Sequence, residues 1–351
     1  MKIKIILLAF AMMLAMAACT PSAPAETPDA TPTPSADKAL IGESSGEIFQ
    51  NDHIDETLRE TIKKLDDELI TNMQNGDTKA VMAMCLPSTV GSESQMNQVV
   101  QMYKGYLKDK TYAYEERYFF DVNASGGSSN VMAISDKHGY IVHATAYDGG
   151  MFFSFIKVPN EAKESLMTVV YLKDQGAWKV ASLFYNDYTY YSMDAVALYK
   201  KAKELRDKGQ ELSAAMYIDM INRTLQPSRN IQYHEMGEIS QFIQALIKDV
   251  QSNYVFPISV ENTNTLIYSF GQEIVVDGIM PAIGYVTSLD VSDESEANKA
   301  AMEKEAKEFH EKVMVMYPEL KENFNIFHYR AYSEPPDGKK PVKGYGTVIQ
   351  E

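Results

Sequence analysis

Cysteine is almost missing from this chain: 351 residues contain two, Cys19 and Cys85. A disulfide framework is therefore excluded. Basic residues are scarce relative to acids, 33 against 48, for a net charge of −15. Phosphate binding draws on clustered Lys and Arg, so nucleic acid is not an expected partner. Beyond the N-terminus no apolar run reaches the length of about 18 residues that a membrane-spanning helix needs. Catalytic signatures are missing too, with no Gly-x-Ser-x-Gly, no P-loop and no dinucleotide fingerprint. The six histidines include no His-Glu-x-x-His; the nearest fragment, His234-Glu235-Met236-Gly237-Glu238, lacks the second histidine. Ser154-Phe155-Ile156-Lys157 satisfies Ser-x-x-Lys but falls in a predicted strand, without a Lys-Thr-Gly partner. Asp290, Asp293, Glu294 and Glu296 carry charge without the alternate spacing of a calcium loop, and suit a helix N-terminus better. No metal and no cofactor is predicted. What the chain does have is a hydrophobic fraction of 45%, enough for two or three folded units.

The N-terminus is an address. Lys2 and Lys4 precede an uncharged apolar run, Ile5 to Ala18, too short to span a bilayer. The run ends Leu14-Ala15-Met16-Ala17-Ala18-Cys19, which resembles a bacterial lipoprotein signal, with Met16 departing from that family's usual Leu. The resemblance implies removal of residues 1–18, lipidation of Cys19, and a protein held on the cell membrane facing outside the cytoplasm. Cys85 would then be the remaining thiol, expected buried and inert, and loss of Lys2 and Lys4 takes the net charge from −15 to −17. Residues 19–47 hold five prolines among Thr, Ser and Ala and no aromatic residue, and form a tether reaching about 30–80 Å.

From Ile48 the pattern turns helical, with Leu58, Ile62, Leu65, Leu69 and Met73 three or four residues apart until Asn75-Gly76-Asp77. Short helices are expected at Ala80–Leu86 and Gln95–Leu107. Strands follow at Tyr112–Val122, Asn130–Ser135, Tyr140–Tyr147, Met151–Val158, Leu166–Leu172 and Trp178–Phe184. Asp148-Gly149-Gly150 and Asp174-Gln175-Gly176 have hairpin chemistry. The helix ending in Asn75-Gly76-Asp77-x-x-Ala80 and the hairpin Val169–Leu172…Gly176-x-Trp178-Lys179-Val180 resemble the NTF2-like superfamily, which includes ketosteroid isomerase-like enzymes and silent binding modules. That resemblance covers 48–192 and implies an α+β cone of curved antiparallel sheet around helices.

Residues 193–252 are expected to be helical. Leu198, Ala202, Leu205, Gly209, Leu212, Ala214, Ile218 and Ile221 resemble one tetratricopeptide repeat, with an ordinary helical hairpin as the alternative, and a third helix runs from Glu235 to Val250. Residues 253–351 suggest a small α+β domain. Its strands are Val255–Val260, Leu266–Phe270, Glu273–Val276, Ile283–Leu289, Asn325–Tyr332 and Gly344–Ile349, with a helix over Ser295–Tyr317.

Tyr114, Tyr118, His143, Tyr147, Tyr171 and Trp178 are strand residues able to reach a cone pocket, with Asp121 as the carboxylate. Phe184–Tyr191, containing Tyr185 and Tyr188, offers either a stacking surface for a partner or packing at the domain junction. The function expected is a lipid-anchored, non-catalytic module binding an envelope protein, a peptide or a small ligand. The rivals are an NTF2-like isomerase or hydrolase, and a solute-binding lipoprotein, for which the two α/β lobes are missing.

Overall fold

The computed structural model describes residues 45–351 except 124–127, 136, 148, 262 and 338. The signal, Cys19 and the tether up to residue 44 lie outside the described residues. The chain is α+β, with helices and three largely antiparallel sheets.

Strand β1 (Ser45–Gln50) opens the described chain and pairs antiparallel with β2 (Ala113–Asn123), Ile48 opposite Phe120. Extended tether and a helix from Ile48 were expected there; a partner some 70 residues away supplies backbone bonds that local periodicity does not reveal. Helix α1 (Glu56–Asn75) is capped by Asp55 and stopped by Gly76 in the left-handed region. Asp77 caps α2 (Thr78–Met84), and a Ser92–Gln95 capping box opens α3 (Glu93–Leu107). These helices pack on a five-stranded sheet ordered β1-β2-β5-β6-β7, with β5 at Met151–Pro159, β6 at Lys163–Asp174 and β7 at Ala177–Tyr190. Their shared core holds Ile62, Leu69, Ile70, Met73, Phe152 and Ile156. Each such side chain contributes about 1.5–3 kcal/mol when fully buried.

Gln175 and Gly176, both at positive φ, turn β6 into β7 as expected for a two-residue hairpin. The Asp148-Gly149-Gly150 expectation is corrected. It links β4 (Tyr140–Tyr147), which belongs to a three-stranded sheet ordered β3-β4-β8, to β5 of the main sheet. In that sheet β3 is Ser128–Ile134, and β8 (Ile231–Tyr233) comes from the segment expected to be wholly helical.

Helix α4 (Ala195–Asp207) buries Leu198, Ala202 and Leu205 as expected. The expected partner helix breaks at Met216–Tyr217 into α5 (Glu211–Ala215) and α6 (Ile218–Thr224), followed by α7 (Met236–Asn253). The last sheet is ordered β13-β12-β11-β10-β9, comprising β9 (Ile258–Ser259), β10 (Leu266–Val275), β11 (Gly278–Val286), β12 (Ile326–Tyr332) and β13 (Gly344–Gln350). Helices α8 (Glu296–Met316) and α9 (Pro318–Asn323) complete it, and β11 and β12 run parallel. On α8, Lys299 pairs with Glu296 and Lys304 with Glu308. A second core runs without a break from the far face of the main sheet through β3, β4 and β8 and α4–α7 to α8 and the last sheet.

Candidate functional site

Two buried carboxylates sit on opposite faces of the main sheet. Asp66 lies on α1 between Ile62, Leu69 and Ile70, so helical spacing places it in the middle of the buried stripe. It is fully buried. Its Oδ2 accepts from the Tyr114 hydroxyl at 2.9 Å and Ser154 Oγ at 2.7 Å, and its Oδ1 from the Tyr171 hydroxyl at 2.7 Å. Burial pushes its carboxyl from the ordinary 3.8 up to about 6, against the pull of the three hydroxyl bonds. The Tyr114 and Tyr171 hydroxyls are pushed up by burial and then by the Asp66 charge. The Arg117 guanidinium lies 4.6 Å from the Tyr114 ring centre and covers it from outside.

The second carboxylate is Glu116. Its Oε2 accepts from the Tyr118 hydroxyl at 2.9 Å and from the Tyr140 hydroxyl, and its Oε1 from Ser135 Oγ at 3.0 Å. Beside it Glu115 holds His138 at 2.5 Å and Lys157 at 2.9 Å. Burial alone would raise the Glu115 carboxyl, but the His138 and Lys157 hydrogen bonds outweigh it and bring the group down to about 2. His138 stacks on Tyr140 at 5.3 Å and meets Tyr188 edge-on at 6.2 Å.

A β-bulge makes this division. Tyr114 pairs with Ile156 and Glu116 with Phe155, so Glu115 and Glu116 together face one residue of β5. Beyond the bulge the strand's faces exchange: Tyr114 joins the helix-side core, while Tyr118, Phe120 and Val122 join the other. Ser154 and Lys157 likewise diverge, one to Asp66 and one to Glu115.

The sequence-predicted residues therefore do not share one pocket. Tyr114 and Tyr171 meet at Asp66; Tyr118 and Tyr188 lie on the Glu116 side. Asp121 is exposed and pairs across to Glu47, so it is not the interior acid. His143 pairs with Met132 and exchanges bonds with Asn230; its Nδ1 is buried without a hydrogen-bond partner among the described residues. Trp178 meets Phe119 edge-on at 6.2 Å. The Tyr147 side chain lies outside the described residues. Tyr185 stacks on Tyr106 of α3 at 5.0 Å and meets Tyr103 at 5.9 Å. Tyr191 donates to the Val275 carbonyl at 2.8 Å and the Gly278 carbonyl at 2.5 Å. The aromatic segment is thus built into β7 and the junction.

Cys85 is half-buried rather than sealed, beside Pro87, Val90 and Lys179 in an open recess of about 490 Å³. Burial raises its thiol and keeps it protonated. Among the described residues no group of three or more His, Cys, Asp or Glu is placed to hold a metal, and no helix is long and apolar enough to cross a membrane. No known family, curated protein or solved structure matches the chain.

Proposed function

We propose that this chain is a lipid-anchored protein on the outer side of a cell membrane, and that its folded part is a non-catalytic binding or interaction module. The observation that carries the non-catalytic reading is the state of Asp66. Its oxygens are occupied by three hydroxyls of the protein itself, and the helix-side interior around it is filled by Ile62, Leu69, Phe152 and Ile156. A substrate would have to displace bonds that each stabilise the charged form. In this reading α1–α3 fill the hollow of an NTF2-like cone, and α4 with α5 and α6 forms a broken tetratricopeptide-like hairpin. The anchor rests on Lys2, Lys4, the apolar run to Ala18 and Cys19. Several acyl chains on one cysteine give stable attachment, at about 0.8 kcal/mol per buried CH₂. Metabolic labelling with an alkyne fatty acid, followed by fractionation, tests it. The native chain is expected in the labelled membrane fraction and Cys19→Ala in the soluble, unlabelled one; a Cys19→Ala chain still wholly in membranes sinks the anchor.

One observation favours a second reading, an NTF2-like enzyme: an acid at about 6 beneath two tyrosines resembles a proton-transfer group. It requires α1 to part from the sheet. Slow amide exchange through Phe152–Ile156, matching global unfolding, would exclude it.

A further inference from the structure

At the meeting of α5, α7 and β10 a cavity of about 100 Å³ is lined by Leu212, Met216, Val250, Tyr254, Phe256 and Phe270 among others. Phe270 stands 6.3 Å from Tyr254 at 88°, 5.9 Å from Phe256 at 60° and 5.3 Å from Tyr317 at 88°. At these separations the rings touch edge to face or tilted, so Phe270 joins Tyr254, Phe256 and Tyr317 in one aromatic cluster of which the first three border the cavity. Phe256 is 40% exposed and its neighbour Val255 71% exposed, so one wall faces solvent. A concave apolar space with an exposed apolar rim can receive a small group, though not a drug-sized ligand.

Charge says what kind. No Lys or Arg lines the cavity. Glu319 and Glu211 lie close enough to the Tyr254 hydroxyl to raise it, after burial itself. Glu319 is held by the Ser213 amide at 3.0 Å and Glu211 by the Asn253 side-chain amide at 2.7 Å. Both partners are neutral, and neither carboxylate is in an ion pair among the described residues. Two carboxylates that have hydrogen bonds but no basic partner among the described residues, beside aromatic rings, favour a cation. An apolar wall cannot replace the water of a bare metal ion or a primary ammonium. A quaternary ammonium spreads its charge over methyl groups and presents apolar surface, so aromatic faces suit it. The space opens to solvent beside Phe256, so a trimethylammonium group can enter it with its chain left outside.

We infer that this cavity binds the quaternary ammonium head of a small organic cation of choline's chemistry. The site goes beyond the binding-module reading and is independent of the anchor: the Cys19→Ala chain binds equally, so the two fail separately. Titration of the full chain, in a sugar-headgroup detergent, with choline and with its uncharged carbon isostere, followed by saturation-transfer NMR and calorimetry, tests it. Choline is expected to bind saturably and at least about tenfold tighter than the isostere, a ratio equivalent to about 1.4 kcal/mol. Phe256→Ala, at a half-exposed position, keeps its Tm and loses at least about fivefold in choline affinity; Glu211→Gln lowers choline affinity and leaves the isostere unchanged. With the Cys19→Ala chain, flotation on phosphatidylcholine vesicles that Phe256→Ala abolishes assigns the head group to a lipid. Choline binding without flotation assigns it to a free cation. No saturable choline binding, equal affinity for the isostere, or an unaffected Phe256→Ala overturns the proposal.

Discussion

Tyr114 and Glu116 are two residues apart on one strand, yet their side chains enter different cores. Tyr114 donates to Asp66 on the helix side; Glu116 accepts from Tyr118 and Tyr140 on the other. An unbroken strand places i and i+2 on the same face. The extra residue at Glu115 is what separates them, and it lets each face of the sheet keep its own carboxylate with its own hydroxyl donors.

Deletion of Glu115 is therefore expected to be tolerated about as well as its truncation. Without the extra residue Tyr114 and Glu116 become adjacent and still face opposite ways, opposite Ile156 and Phe155 as before, so Tyr118 and Phe120 keep their faces. The deletion should keep a cooperative unfolding transition and lose only what the Glu115 side chain itself contributes. Glu115→Ala keeps the register, releases Lys157 and His138, and should cost about 1–3 kcal/mol. Denaturant melts of the two variants check this; a deletion that loses the cooperative transition would mean the strand needs the bulge itself and not only the facing it sets.

Asp66→Asn should change the slope of stability against pH. The folded-state carboxyl is raised from 3.8 to about 6, so the folded chain holds the proton more tightly than the unfolded one. Its contribution is fully present below about pH 3.8 and is lost as pH rises through about 6. At 1.36 kcal/mol per pH unit the loss is about 3 kcal/mol. The difference in unfolding free energy, Asp66→Asn minus native, should become more favourable to the variant by about that amount between pH 4 and 7. Urea melts across that range measure it, and a flat difference would remove Asp66 as the titrating group.

Tyr171→Phe probes the same centre from the donor side. Losing one hydroxyl weakens the ionised form of Asp66, so its carboxyl should rise further and the pH window move upward. The variant should lose about 1–3 kcal/mol at pH 7, where the carboxylate is charged, and less at pH 5. An equal loss at both values would assign the effect to packing alone.

The helices were legible because their signals are local. Leu58, Ile62, Leu65, Leu69 and Met73 announce α1, and Gly76 its end. Asp66 stood inside that stripe, at i+4 from Ile62 and i−4 from Ile70, and the one charged residue on a buried face was the available signal for the interior acid. Asp121 is a strand carboxylate near the tyrosines in sequence, and nothing local fixes its facing, which is outward. Glu116 is hidden because the bulge beside it, which turns it inward, leaves no mark in the sequence. Strands whose partners are distant, β1 with β2 and β8 with β4, left no periodicity long enough to detect. Phe184–Tyr190 reads as a partner surface or as junction packing because tyrosines suit interfaces and strands alike; its pairing with Lys163–Thr168 makes it β7.

The link from β7 to α4 carries backbone strain that a substitution should relieve. Tyr191 and Ser192 are consecutive non-glycine residues at φ of 51° and 62°. The left-handed region costs an L-residue about 1–2 kcal/mol. Tyr191 is held there by its hydroxyl on the Val275 and Gly278 carbonyls, which ties this link to the β10–β11 turn, so changing it would confound strain with lost bonds. Ser192 is exposed and none of the side-chain hydrogen bonds described involves it. Ser192→Gly should therefore stabilise the chain by about 0.5–1 kcal/mol, the steric relief exceeding the added freedom of the unfolded state. Tyr191→Phe should destabilise by about 1 kcal/mol through the two carbonyls it releases. Opposite signs from neighbouring positions are the expected result in thermal melts. A destabilised Ser192→Gly would show that the serine contributes a contact worth more than the strain.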